Sequence, residues 1–333
     1  MKQEQSLTLF KTLFSIVLVI TLLSCNNTKE SKERVPDYAG TVQIDSGYVK
    51  SGNATLFYKS IGQGEPIVVL HGGPGGYFNH DYLYLKDLGK NHRMIFFDQR
   101  GTGKSECNIN ESEINIAQFV NDISVLSDSL KLEKFNLLGV SWGGLLSMMY
   151  TIENPKRVDK IVLIGTAGLE EAFLADLNKG ISERLNQDDF NQFQALEKSI
   201  TDDNITKIKD KQGKLLYKAY VKDSTILKKF NSNIDVRTAK LQTKVNVMVW
   251  KELRDKDFNF YPELTALKNQ LLVIHGKYDP IPTKYSQKIV DEMPNARMVL
   301  LDSIGHMPHI EVNALTLKMT NEFFNDKTIN NIN

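Results

Sequence analysis

A chain of 333 residues, 41% hydrophobic and 24% charged, has the make-up of a soluble globular protein and the length for one large domain with an insertion. A formal net charge of +1 supplies no basic excess for nucleic acid or an anionic surface, and two cysteines provide no disulfide framework.

The first 24 residues differ from the rest. Lys2 and Lys11 precede an apolar run from Leu13 to Leu23, shorter than the roughly 20 residues that span a bilayer but suited to a signal peptide. The run ends in Leu22-Leu23-Ser24-Cys25, which resembles a bacterial lipoprotein signal, so cleavage before Cys25 and lipidation of its thiol are expected. That places the mature chain outside the cytoplasm, on a membrane. Residues 25–36 carry charge and almost no apolar side chains, and read as a linker.

From Gly40 to Gly62 an alternating pattern around Ser51-Gly52-Asn53 predicts an antiparallel hairpin. Short apolar runs bounded by turn residues follow at 67–70, 94–97, 135–138, 160–164, 270–274 and 297–301, as expected of strands buried on both faces of a parallel sheet. Helical spacing separates most of them, as in Ile116, Phe119, Val120, Ile123 and Leu126. Strands alternating with helices predict a mostly parallel, doubly wound α/β sheet, with the core in 37–166 and 263–326. No buried-strand run occurs in 167–262, whose apolar residues recur every three or four positions; a helical cap is expected there, with the lysine-rich stretch 207–222 as its solvated face.

Ligands of an open parallel sheet sit beyond the carboxyl ends of its strands. The residues there are His71-Gly-Gly-Pro-Gly-Gly76, Asp98 to Ser105, Ser141, His275-Gly-Lys-Tyr-Asp279 and Gly305-His306. Gly139-Val-Ser-Trp-Gly143 joins an apolar run to a helical pattern, which is the nucleophile-elbow arrangement: glycines two places either side of a serine let backbone approach where a Cβ would clash. A serine hydroxyl is a weak nucleophile until a base takes its proton. His306 is the candidate base, and Asp279 the acid that fixes its tautomer and stabilises the imidazolium. His71, His275 and His309 are assigned supporting roles, and Cys107 none. Gly103-Lys104-Ser105 ends like a phosphate-binding loop, but the glycine needed five places earlier is Asp98; a turn held by an Asp98–Arg100 ion pair is expected instead. No His-Glu-x-x-His is present, and His306 with His309 makes a weak pair, so neither metal nor cofactor is expected.

Taken together, the His-Gly-Gly-Pro-Gly-Gly loop, Asp98-Gln-Arg-Gly, the serine elbow, Gly276-x-Tyr-Asp279 and Gly305-His306 resemble the α/β-hydrolase fold, in particular its proline iminopeptidase branch. The resemblance implies a helical cap over a serine hydrolase site, with the Gly73 and Trp142 backbone N–H groups as oxyanion hole. It also implies a cap carboxylate that holds the substrate's amino group. Only a partial tryptophan-and-glutamate motif occurs, at Trp250-Lys251-Glu252, which makes Glu252 the candidate; Pro280 follows Asp279 where some relatives carry a second acid. The expected activity is release of small N-terminal residues, proline among them, from peptides. Alternatives are an esterase or lactonase with the same triad, and a lipoprotein that binds a small ligand without catalysis. Ser141 argues against dehalogenase and epoxide hydrolase chemistry, which needs an aspartate nucleophile.

Overall fold

The structure, a computed structural model, describes residues 43–229, 234 and 236–327. The signal segment, Cys25 and the linker lie outside the described residues. In chain order the elements are β1 (Ile44–Ser51), β2 (Ala54–Ile61), β3 (Pro66–Leu70), α1 (Asn79–Leu85), β4 (Arg93–Phe97), α2 (Ile116–Ser129), β5 (Phe135–Val140), α3 (Trp142–Glu153) and β6 (Val158–Ile164). There follow α4 (Ala172–Arg184), α5 (Gln187–Lys198), α6 (Ile205–Tyr220), α7 (Val236–Asp255) and α8 (Tyr261–Leu264). The chain closes with β7 (Gln270–Gly276), α9 (Thr283–Glu292), β8 (Ala296–Leu301), α10 (Pro308–Glu311) and α11 (Asn313–Phe324).

The strands form one eight-stranded sheet in the order β1-β2-β4-β3-β5-β6-β7-β8. β1, β2 and β4 pair antiparallel, and every pairing from β4 across to β8 is parallel. Both faces of β3 to β7 are covered, which is why those strands are apolar without alternation; the edge strand β8 is only partly buried. Successive side chains nonetheless go to opposite layers. Val68, Leu70 and Leu137 join the layer holding Phe119 and Leu145, whereas Ile67, Val69 and Leu138 join the layer holding Phe78, Leu85 and Phe323. The register pairs Leu70 with Gly139, Val140 with Ile164 and Gly276 with Leu301, so the turns after these strands emerge along one edge.

Between β6 and β7 the chain leaves the sheet as α4–α8. Residue 262, the expected end of the cap, falls inside α8, where Tyr261 and Leu264 are buried. A second departure concerns α6. It is not simply a solvated face: Leu215, Leu216, Tyr217, Ala219 and Tyr220 are buried, and so is Lys209, 3.4 Å from Glu197. Lys207, Lys211 and Lys218 are exposed on one side of a helix whose other side buries Ile208, Leu215 and Ala219, and density of charge hid that periodicity. Among the described residues no helix is long and apolar enough to cross a membrane.

Candidate active site

Ser141 occupies the sharp turn between β5 and α3 with φ 53° and ψ −116°. That left-handed conformation is costly for a residue with a Cβ, and the surroundings enforce it. The Ser141 N–H donates to the Ile164 carbonyl (3.0 Å), and its own carbonyl accepts from the Gly144 and Ala167 N–H groups at 2.9 and 3.1 Å. A Cβ at Gly143 would collide with the Leu70 carbonyl oxygen, and one at Gly139 with the Gly143 carbonyl oxygen. The turn therefore closes only with glycine at both places.

The other candidate residues converge on it. His306 Nε2 lies 3.0 Å from Ser141 Oγ, and His306 Nδ1 lies 2.8 Å from Asp279 Oδ2. Asp279 Oδ1 accepts the Ile281 N–H at 2.8 Å, which fixes the carboxylate plane. Burial pushes the Asp279 carboxyl up, but His306 and His275 beside it, with the hydrogen bonds from His306 and Ile281, outweigh burial and hold it below the usual carboxylate range. An ionised Asp279 fixes the proton on Nδ1 and leaves Nε2 free to accept one from the serine.

Gly73 and Trp142 line the same pocket as Ser141 and His306. Trp142 opens α3, so its N–H is among those that a helix leaves without an intrahelical acceptor. The loop at 71–76 is held by buried side chains. His71 Nε2 accepts the Gln99 N–H and Gln99 Nε2 donates to the His71 carbonyl, both at 3.2 Å, while Gln99 Oε1 accepts Trp142 Nε1–H at 2.8 Å. Burial brings the His71 imidazole down to about 4, so it remains neutral and able to accept. Gln99 thus joins the loop to the nucleophile helix; the sequence marks it only as a member of Asp98-Gln-Arg-Gly, with no role attached.

Glu311 is also absent from the sequence reading. Its carboxylate accepts from Gly305 N–H (2.9 and 3.1 Å), Met307 N–H (3.3 Å) and Lys222 N–H (3.0 Å). It clamps the backbone on both sides of His306 and ties it to the end of α6. The signal was a glutamate five residues beyond the histidine, too common a feature to single out.

Two expectations are corrected. Glu252 is not in the pocket: its Oε2 accepts the Ile116 N–H at 2.8 Å and its Oε1 accepts from Lys256 Nζ at 2.7 Å, so it caps α2, where a helix N-terminus attracts a carboxylate. Arg100 does not pair with Asp98. It binds Asp122 at 2.6 and 2.8 Å and Glu113 at 3.1 Å, while Asp98 accepts from the Phe78 and Lys104 N–H groups at 3.0 and 2.8 Å. His309 has the supporting place expected of it: its Nε2 lies 3.3 Å from Asp81, which accepts the Gly72 N–H at 3.3 Å. Among the described residues, His80, Asp81 and His309 are the one group whose metal-capable atoms lie within 4.8 Å of one another. His275 packs behind the triad, Nε2 3.1 Å from the Ile281 carbonyl and Nδ1 3.0 Å from Ser286 Oγ. Burial pushes the half-buried Cys107 thiol up to about 11, leaving it protonated and unreactive.

The pocket is small, with a cavity volume of about 20 Å³, and it opens to solvent. Core residues form its floor and the cap its roof, through Phe173, Leu177 and Trp250. No carboxylate stands in its wall among the described residues.

A family model described as the alpha/beta hydrolase fold matches residues 65–312. The chain is 28% identical over 295 residues to a putative proline iminopeptidase of Mycoplasma genitalium, which spans 82% of this chain and 95% of that protein. It is 29% identical over 277 residues to a 2-hydroxy-6-oxononadienedioate/2-hydroxy-6-oxononatrienedioate hydrolase of Paraburkholderia xenovorans, over 80% of this chain and 88% of that one. The solved proline iminopeptidase of Mycobacterium smegmatis superposes with a TM-score of 0.65 at 19% identity, over 85% of this chain and 98% of that one, a likeness of fold.

Proposed function

Since the chain belongs to the alpha/beta hydrolase fold family, we propose that it is a serine hydrolase that releases small N-terminal residues, proline foremost, from peptides. The observation that carries this reading is the continuous path from Ser141 Oγ through His306 to Asp279 beneath a helical cap, at 3.0 and 2.8 Å. The similarity to proline iminopeptidases over most of the chain supports the substrate class.

In the proposed reaction Ser141 Oγ attacks the scissile carbonyl carbon as His306 Nε2 takes its proton. The carbonyl π pair moves onto oxygen, where the Gly73 and Trp142 N–H groups stabilise the oxyanion. On collapse the C–N bond breaks, and the His306 imidazolium gives its proton to the departing amine. Water, deprotonated by His306, then attacks the acyl-serine, and the acid leaves with Ser141 Oγ reprotonated.

A second reading has its own observation. The pocket wall lacks the carboxylate that would pair with an ammonium, and an ester needs none. Labelling by a fluorophosphonate, followed by a comparison of prolyl-naphthylamide with short nitrophenyl esters, separates the readings. Prolyl amide turnover supports the aminopeptidase, turnover of esters alone the esterase, and an unlabelled Ser141 removes both.

We further propose that the chain is exported and lipidated at Cys25, supported by Lys2, Lys11, the apolar run and Leu22-Leu-Ser-Cys25 in the sequence. Cys25→Ser is expected to yield unprocessed or soluble protein; intact-mass analysis that finds an unmodified Cys25 in membrane fractions contradicts the proposal.

A further inference from the structure

Two residues of the pocket wall each carry a buried polar atom with no hydrogen-bond partner among the described residues: the Tyr220 hydroxyl and Asn246 Oδ1. Both residues are 1% exposed. Neither is loosely held. The Tyr220 ring meets the His306 imidazole edge-on at 4.8 Å, and its carbonyl accepts the His306 N–H at 2.7 Å. Asn246 Nδ2 donates to the Pro74 carbonyl at 3.0 Å, beside Gly73.

A buried hydroxyl or amide oxygen without a partner bears its full desolvation cost, and phenylalanine would fill the Tyr220 site without it. That cost is offset when a ligand supplies the missing bond. Burial raises the Tyr220 hydroxyl well above its ordinary range, so it stays protonated and has a hydrogen to donate. Asn246 Oδ1 only accepts. Asp279 is already committed to His306 and Ile281.

We propose that Tyr220 and Asn246 form the subsite for the group beside the scissile carbonyl, and that it selects an uncharged group with one lone pair and one N–H. The deprotonated secondary amine of an N-terminal proline is such a group, so the inference rests on the aminopeptidase reading. Tyr220 O–H donates to the amine lone pair and Asn246 Oδ1 accepts its N–H. A protonated amine has no lone pair for Tyr220 and would lose its water with no anion in the wall to replace it.

The test uses the full chain with prolyl-naphthylamide and nitrophenyl acetate, the second reporting on the triad and oxyanion loop. Tyr220→Phe is expected to lower the amide-to-ester ratio of kcat/KM by roughly ten- to a hundredfold, while thermal stability holds or rises because the unpaired hydroxyl is gone. An unchanged ratio, whatever happens to stability, overturns the proposal. In the unmutated protein that ratio is expected to climb with pH as the substrate amine loses its proton, near about 8 for an α-amino group. A ratio that stays level or falls shows that the charged amine binds, and overturns the neutral subsite. Absence of prolyl amide turnover in the unmutated protein removes the aminopeptidase reading and this subsite with it.

Discussion

Ser141, His306 and Asp279 have separable duties, so their substitutions should differ in magnitude. Ser141→Ala removes the nucleophile and is expected to lower turnover by roughly a millionfold; Asp279→Asn keeps the shape but favours the wrong tautomer of His306, at about ten-thousandfold, by analogy with other serine hydrolases. A Ser141→Ala protein with a tenth of its activity would be incompatible with the mechanism. For Glu252 the expectation is opposite. It accepts the Ile116 N–H at 2.8 Å outside the pocket, so Glu252→Ala should leave kcat/KM on both substrates near wild type and lower unfolding stability by roughly 0.5–2 kcal/mol, as loss of a helix cap does. A urea titration beside steady-state rates checks both halves. The triad was legible because each member follows an apolar run and chemistry restricts its residue type. Glu252 was misplaced because a glutamate beside a tryptophan says nothing about which helix end lies 136 residues away.

At the level of elements, the apolar runs marked β3 to β7 closely, since strands buried on both faces admit little else, and the half-buried edge strand β8 was marked by its apolar run as well. The order in which they pair was not legible, because strands of similar composition carry no label for their neighbours. Nor was the break at Val312 that separates α10 from α11. That break matters, because it lets Glu311 turn back onto the backbone at Gly305 and Met307. Glu311→Ala is expected to leave those N–H groups unpaired, loosen His306, and lower kcat by roughly ten- to a hundredfold with a smaller change in KM. A KM effect equal to or larger than the kcat effect would assign Glu311 to substrate binding instead.

The whole molecule should be acid-sensitive in a defined window. His71 is held down to about 4 by burial, and burial also lowers His275 and His309. Above roughly pH 6.5 folded and unfolded chains both carry these imidazoles uncharged, so their contribution is complete. As pH falls from there towards 4 the unfolded chain takes up protons that the folded chain refuses, and stability declines, by roughly 3 kcal/mol for His71 alone. Unfolding midpoints measured between pH 7.5 and 4.5 should fall steadily; a level profile would contradict the buried neutral state. The join between cap and base carries a different consequence. The His306 N–H donates to the Tyr220 carbonyl at 2.7 Å, and a Cβ at Gly305 would strike that same oxygen. The end of α6 is thus one wall of the socket in which the base sits. Transplanting a foreign cap over residues 167–262 is expected to disturb the base as well as selectivity, because the exchanged piece carries the carbonyl that holds the His306 backbone. The last turn of α6 must therefore travel with the core.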